Sequence, residues 1–349
     1  MTSTSLLRHE PLLWVRQERY ARSTVRLHLV LDTNCFRGLA QADLERLAAL
    51  GLPICLSDLA YGEAWSHSVA KYTSGKKDRR EARGLFFARV RRVLPYLDPD
   101  EPMAFIARKG LDVLRAQLRG TVPDDHADDL ARVRAHLRRA ARPEFTDEEW
   151  LEGASDFAPW LDEADKLWLD YNLPEDRIWT VRYADDQALR EEHRAAWNAT
   201  PIAERYRDTM AFNLEGFGLS LEEAARSDAF VRLWTWRMLN NTHAFGRARR
   251  NDGADNLLAQ HVSTGGILVT NDVPLLGAIE ASGTRHGPWV RHFDEAIGQP
   301  LPTCFPWDPQ AESVCGAFRR TSVDLALVET SRWVDVREER CPNDCDNSS

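Results

Sequence analysis

The sequence predicts an α/β protein with a central, mostly parallel sheet, interrupted by a long helical insertion. Three observations predict it. Apolar runs at 27–31, 52–56 and 267–270 are each followed by helical apolar spacing, the alternation that builds parallel sheets. An acidic residue ends the first and third runs or, for the second, lies in the helix that follows. Between about 120 and 250 the strand signals vanish, charge becomes dense, and seven of the twelve tryptophans gather.

Residues 1–26 read as an N-terminal extension able to pack through Leu12, Leu13 and Trp14. The α/β unit begins with Leu27-His28-Leu29-Val30-Leu31, a continuous apolar run of the kind a strand buried on both faces requires. Leu44, Leu47 and Ala48 are spaced for a helix over 42–50, which Gly51 stops. Strand 52–56 follows, and Ser57 is placed to cap the next helix. A third strand is expected at Arg92 to Leu97 and a helix from about Met103 to Leu118, closing a first part at 27–119. The insertion spans 120–250, with helical runs at Asp124 to Ala141 and Ser220 to Phe245 and breaks at Pro143, Pro159, Pro174 and Pro201. Alternation resumes over 251–299 with helix 255–262, Gly265-Gly266, strand 267–270, a short helix after Asp272 and a last strand near Pro288 to Phe293. Residues 300–349 form a Pro-rich, then amphipathic extension with a polar end read as disordered.

No apolar stretch approaches the ~20 residues that span a bilayer, and the N-terminus lacks the apolar core of a secretory signal. Six cysteines in 349 residues make no disulfide scaffold. Together these features predict a cytoplasmic protein with no membrane partner. A net charge of -9 argues against a chain coated in nucleic acid. It leaves room for a nuclease, whose acids are negative and whose phosphate contacts sit on one rim.

Asp32, Glu63, Asp255 and Asp272 carry the chemistry. In a parallel sheet the strand carboxyl ends share one edge, beside the switch point where ligands bind. Carboxylates gathered there without cationic partners repel, and hard oxygen donors of this kind suit Mg²⁺ or Mn²⁺. Singly, Asp32 and Asp272 equally suit capping the helices that follow them, and Glu63 suits a solvated helix face. Asp252, one turn before Asp255, is a fifth, outer-shell candidate. Thr33, Asn34, Thr270 and Asn271 could bind a phosphate or simply serve turn and cap chemistry. His67, four residues after Glu63, shares its side of the helix as a proton shuttle or an ordinary surface histidine. Lys76, Lys77, Arg80, Arg249 and Arg250 stand out for phosphate contacts, within a basic run from Lys71 to Arg92 and a second just before Asp252. The insertion's tryptophans read mainly as core rather than as stacking platforms.

Asp32-Thr33-Asn34 after a strand, Glu63 in the second helix, Asp255 in an Asp-x-Leu-Leu-Ala helix start and Thr270-Asn271-Asp272 after a later strand together resemble the PIN domain. Val93-Leu94-Pro95 before a helix is similar to that family's third strand. The resemblance covers about 27–118 and 252–295; the insertion and the C-terminal extension have no counterpart in it. It implies a flavodoxin-like α/β/α sandwich in which Asp32, Glu63, Asp255 and Asp272 hold one or two Mg²⁺ or Mn²⁺ ions, directly or through water. The function it implies is endoribonuclease activity, as in a toxin or defence effector, with RNA favoured over DNA as substrate. A structure-specific DNA nuclease of the same fold and a catalytically inactive RNA- or protein-binding scaffold are the alternatives. A homodimer and an inhibitory protein partner are both compatible with the pattern.

Other motifs are incomplete. A haloacid-dehalogenase-type phosphotransferase needs a second Asp where Asn34 stands. Ser74-Gly75-Lys76-Lys77 lacks the preceding glycine of a phosphate loop. Cys304, Cys315, Cys341 and Cys345 lack the paired spacing of a zinc site.

Overall fold

Five short strands, the central three with apolar interiors, assemble into an all-parallel sheet. The structure, a computed structural model, describes residues 14–16, 24–106, 117, 124–151, 188, 191–192, 195–196, 199–219, 221–240 and 252–302. Strand β1 (Trp14–Arg16) pairs antiparallel with β2 (Thr24–Arg26) in a separate ribbon. The main sheet contains β3 (His28–Leu31), β4 (Ile54–Ser57), β5 (Met103–Ala104), β6 (Gly266–Thr270) and β7 (Val290–His292) in the order β5-β4-β3-β6-β7. Counted within the sheet this order is 3-2-1-4-5, so growth reverses between β3 and β6 and the switch point lies there.

Between their end residues the central strands are apolar because both faces are covered. Leu29, Val30 and Leu31 of β3 and Ile267, Leu268 and Val269 of β6 are fully buried. Register is direct, Leu31 lying opposite Leu56 of β4 and opposite Val269 of β6. This brings the ends of β3, β4 and β6 to the same level.

Helices α1 (Thr33–Gly38), α2 (Gln41–Ala48), α3 (Asp58–Thr73) and α4 (Arg79–Val93) follow the first two strands. Helix α1 packs on α3 and α4. Gly51, at φ 76°, turns the chain out of α2 into β4. In 120–250 the described elements are all helical: α5 (Asp124–Ala140), α6 (Ile202–Gly216), α7 (Leu221–Arg226) and α8 (Asp228–Asn240). Helix α9 (Asp252–Leu258), a 3-10 turn at 259–264, α10 (Val273–Ala281) and α11 (Phe293–Gly298) complete the α/β unit. Helix α10 packs on α8, so the sheet is sandwiched between helical layers in the expected α/β/α arrangement.

The third strand differs from expectation. Residues 92–97 do not form it; α4 runs to Val93 and a 3-10 turn covers 94–96. The helix expected from Met103 is replaced at its start by β5, pairing Met103 with Leu56. The physical reason is spacing: Ala82, Phe86, Val90 and Val93 are buried at intervals of four, four and three, the period of a helix face.

The insertion shares one hydrophobic core with the sheet. Its first part docks on α3, where the Trp65 indole donates to the Trp150 carbonyl (2.8 Å) and the Trp150 indole to Ser68 Oγ (3.1 Å). Its second part docks through α8. Trp150 and Trp234 are fully buried and Trp236 nearly so, the core role expected of them; Trp160, Trp168, Trp179 and Trp197 lie outside the described residues. Among the described residues no helix is long and apolar enough to cross a membrane.

Candidate functional site

Two of the four acids are fixed by the geometry of a strand turning into a helix. Asp32 follows β3 and caps α1, accepting from the Cys35 backbone N–H (2.7 Å). Asp272 follows β6 and caps α10, accepting from the Leu275 N–H (2.9 Å). The capping role is therefore real, but it occupies one oxygen of each carboxylate. The second oxygens face the neighbouring loop: Thr270 donates its hydroxyl to Asp32 Oδ2, and Asn34 donates its amide to Asp272 Oδ2 (3.2 Å). Thr270 Oγ1 also accepts from the Asp272 N–H (2.9 Å), so one hydroxyl joins the two acids.

Glu63 joins them from α3. Thr33, the first residue of α1, donates its hydroxyl to Glu63 Oε2 (2.5 Å). His67 Nδ1 stands 3.9 Å from Glu63 Oε1 on a half-exposed imidazole. Asp32, Glu63 and Asp272 thus surround the carboxyl ends of β3, β4 and β6 through Thr33, Asn34 and Thr270. Asn271 takes part differently. Its backbone N–H meets the Cys35 sulfur, and its buried side-chain Oδ1 has no partner among the described residues.

Asp32 is only 2% exposed, and burial pushes its carboxyl up to about 6. Hydrogen bonds from Thr270 and Cys35 pull it down, and the Asp272 charge pushes it up again; among the described residues no cation acts on it. A buried carboxylate that must ionise without a counter-charge is an acceptor for a cation.

Asp255 is placed differently. Helix α9 starts at Asp252, so Asp255 is its fourth residue rather than its opening one. Arg237 of α8, almost fully buried, donates to Asp255 Oδ2 at 3.2 Å. The fourth acid therefore has the cationic partner that the sequence did not reveal. Arg237 and Asp255 belong to separate helices, and no local motif announces their pairing.

The donor set fits a hard divalent ion in kind: carboxylates, hydroxyls and amide oxygens at one sheet edge. Each carboxylate oxygen that accepts one hydrogen bond keeps a lone pair for another ligand. Among the described residues, however, no three of His, Cys, Asp and Glu already stand at the spacing of a metal cage.

The structure sorts the basic residues. Lys77 pairs with Glu81, Arg83 with Asp147 (2.8 Å), and Arg92 donates to the Phe36 and Arg37 carbonyls (3.3 and 3.2 Å). Lys76 and Arg80 are exposed. Arg249, Arg250 and the four C-terminal cysteines lie outside the described residues, as does the Asp252 side chain. Arg37, which the sequence reading passed over, stands one turn after Thr33 on α1; a cation in the last turn of the helix carrying the acid motif was the available signal.

No family model, no curated protein and no solved structure matches this chain.

Proposed function

We propose that this protein is a divalent-metal-dependent endonuclease of the PIN-like kind, cutting RNA phosphodiester bonds. One observation carries the reading: a buried Asp32 carboxylate with no counter-charge among the described residues, joined to Asp272 through the Thr270 hydroxyl at the switch point of a parallel sheet, while the next residue, Thr33, donates to Glu63. Asp32 and Asp272 would hold an Mg²⁺ or Mn²⁺ ion, with Glu63 completing its shell through water. Bound there, the ion would lower the pKa of a water and neutralise charge on the reacting phosphate.

The chain's own residues do the rest. Thr270 fixes the Asp32 carboxylate in one rotamer, and Thr33 does the same for Glu63. Asn34, exposed and within reach of Asp272, can swing its amide to a phosphate oxygen when the carboxylate is engaged elsewhere. His67, beside Glu63 and half-exposed, would pass a proton to the departing oxygen. Asp255 is held by Arg237, so its contribution is to anchor α9 against α8 unless that pair opens. Cys35 and Cys55, both buried and neither in a disulfide, accord with a cytoplasmic setting.

The test incubates purified protein with single-stranded RNA and DNA in Mn²⁺ or EDTA, beside Asp32→Asn and Asp272→Asn. RNA cleavage that needs Mn²⁺ and disappears in both variants is the expected result. Cleavage surviving EDTA and both substitutions removes the mechanism. DNA cleavage alone makes the substrate DNA, and salt-dependent RNA binding without cleavage makes the protein a scaffold.

A further inference from the structure

A line of cations runs away from the acids along two helices that start at the same sheet edge. On α3, Glu63, His67 and Lys71 are spaced i, i+4 and i+8 and form one stripe. On α1, Thr33 and Arg37 are one turn apart, and Thr33 already touches Glu63. Arg92 of α4 binds the carbonyls at the end of α1, bringing a third helix to the same face. Arg89, one turn before Arg92, adds its charge. Among the described residues no carboxylate pairs with Arg37, Lys71, Lys76 or Arg89. Their crowding is felt: after slight burial, the charges of Arg37, Arg89, Lys77 and Lys76 push Lys71 down, and burial with Arg37 and Arg92 does the same to Arg89. Cations that repel one another and lack acidic partners are stabilised by a polyanion.

We propose that the Arg37, Lys71, Arg89 and Arg92 face is a phosphate track for a single strand of nucleic acid leading to Asp32, Glu63 and Asp272. At 1.5 Å per residue, Lys71 lies about 12 Å along α3 from Glu63, a span of a few nucleotides. A single strand is specified because Asp32 is almost covered, and only a narrow chain brings a phosphate to it. RNA and DNA present the same backbone to these cations. The proposal rests on the nuclease reading for where the strand leads, but not for whether it binds.

The experiment measures fluorescence anisotropy of a labelled single-stranded oligouridylate, and of its deoxy counterpart, in EDTA over a range of salt. The variant Arg37→Ala/Lys71→Ala/Arg89→Ala is expected to bind at least about tenfold more weakly, with a salt slope lower by about two, as for three lost phosphate contacts. Lys71→Arg should bind like the parent. If the triple variant fails to fold, Arg37→Ala/Lys71→Ala serves, with a slope lower by about 1.4. Unchanged affinity and slope overturn the track, as does preference for a duplex or for anionic phospholipid vesicles over the strand. In Mn²⁺ the two readings separate. A parent that binds through the track but does not cut ends the nuclease reading alone; a parent that cuts while the triple variant binds normally ends the track alone.

Discussion

Asp32 has been given a poor environment for a charge and a good one for a helix cap. Its burial raises it to about 6 from an ordinary value of 3.8. A group whose folded value is raised favours folding below the unfolded value, and that contribution is lost as pH rises through about 6. Ionised Asp32 therefore costs the metal-free protein on the order of 3 kcal/mol at pH 8 by the usual conversion of about 1.4 kcal/mol per unit. Asp32→Asn relieves that cost, offset by about 1 kcal/mol because an amide offers one acceptor where two donors, Cys35 N–H and Thr270 hydroxyl, now point. In urea unfolding with EDTA, the variant should gain on the parent as pH is raised from 5 to 8. A variant that loses ground over that range would show that Asp32 is there for structure. Asp255 makes the contrasting case. On the proposed nuclease reading, its pairing with buried Arg237 predicts that Asp255→Asn retains at least tenfold more Mn²⁺-dependent cleavage than Asp32→Asn, while lowering Tm more, because it leaves a buried guanidinium short of its partner. Equal loss of cleavage in the two variants, with Tm unchanged, would return Asp255 to the proposed metal site.

At the level of elements, β3, β4 and β6 were legible because each is a continuous apolar run ended by a polar residue at the sheet edge. That same legibility placed Asp32, Glu63 and Asp272, whose positions depend only on strand ends and the helices behind them. Strand β5 was not legible: two residues, Met103 and Ala104, carry no period at all. The apolar cluster Val93, Leu94 and Leu97 imitated a strand because a short run cannot be told from a helix end by composition. Only the buried series from Ala82 to Val93 reveals the helix. The Asp255–Arg237 pair was hidden for another reason, since contacts between distant helices leave no trace in either helix's own pattern. Gly265-Gly266 shows a local rule at work. Gly265 closes the 3-10 turn at φ 88°, and a Cβ on Gly266 would stand 2.8 Å from Val30 Cγ2 and 2.9 Å from the His261 carbonyl. The backbone oxygen cannot turn aside as a side chain can. Gly266→Ala should thus destabilise by about 1–3 kcal/mol through overpacking, read as a lower urea midpoint with an unchanged m-value. An unaltered midpoint would mean that β6 can shift against β3.

The whole molecule is tied together by a buried polar knot between α8 and the loop after α10. Asp228, at the start of α8, accepts from Arg232 (2.7 Å), from the Thr284 hydroxyl (2.6 Å) and from the Arg285 N–H (3.1 Å) in the loop after α10. Burial would raise Asp228, but Arg232, His286 and Thr284 outweigh it and hold the carboxyl below its ordinary value. His286, fully buried beside this knot, is pushed down to about 4 from 6.5, first by burial and then by Arg285 and Arg232, with Asp228 opposing. A depressed histidine is neutral in the fold and charged in the unfolded chain, so its contribution is present above 6.5 and lost as pH falls towards about 4. The shift corresponds to about 3 kcal/mol over that window. Asp32 works in the opposite direction over nearly the same window, since its protonation favours the fold as pH falls from about 6 to 3.8. The two groups sit in different parts of the molecule, one at the acid edge and one where the insertion docks, and their linkages nearly cancel. The metal-free parent should accordingly lose little stability between pH 6.5 and 4.5. Removing one partner unmasks the other: Asp32→Asn should become acid-sensitive, losing on the order of 2–3 kcal/mol across that range by the same conversion. Asp32→Asn/His286→Gln should be flat again, because neither group remains to titrate. Guanidinium unfolding of all three proteins at matched ionic strength distinguishes the cases. An Asp32→Asn protein as insensitive to acid as its parent would mean that His286 is not held neutral, and that the docking of the insertion does not depend on excluding its proton.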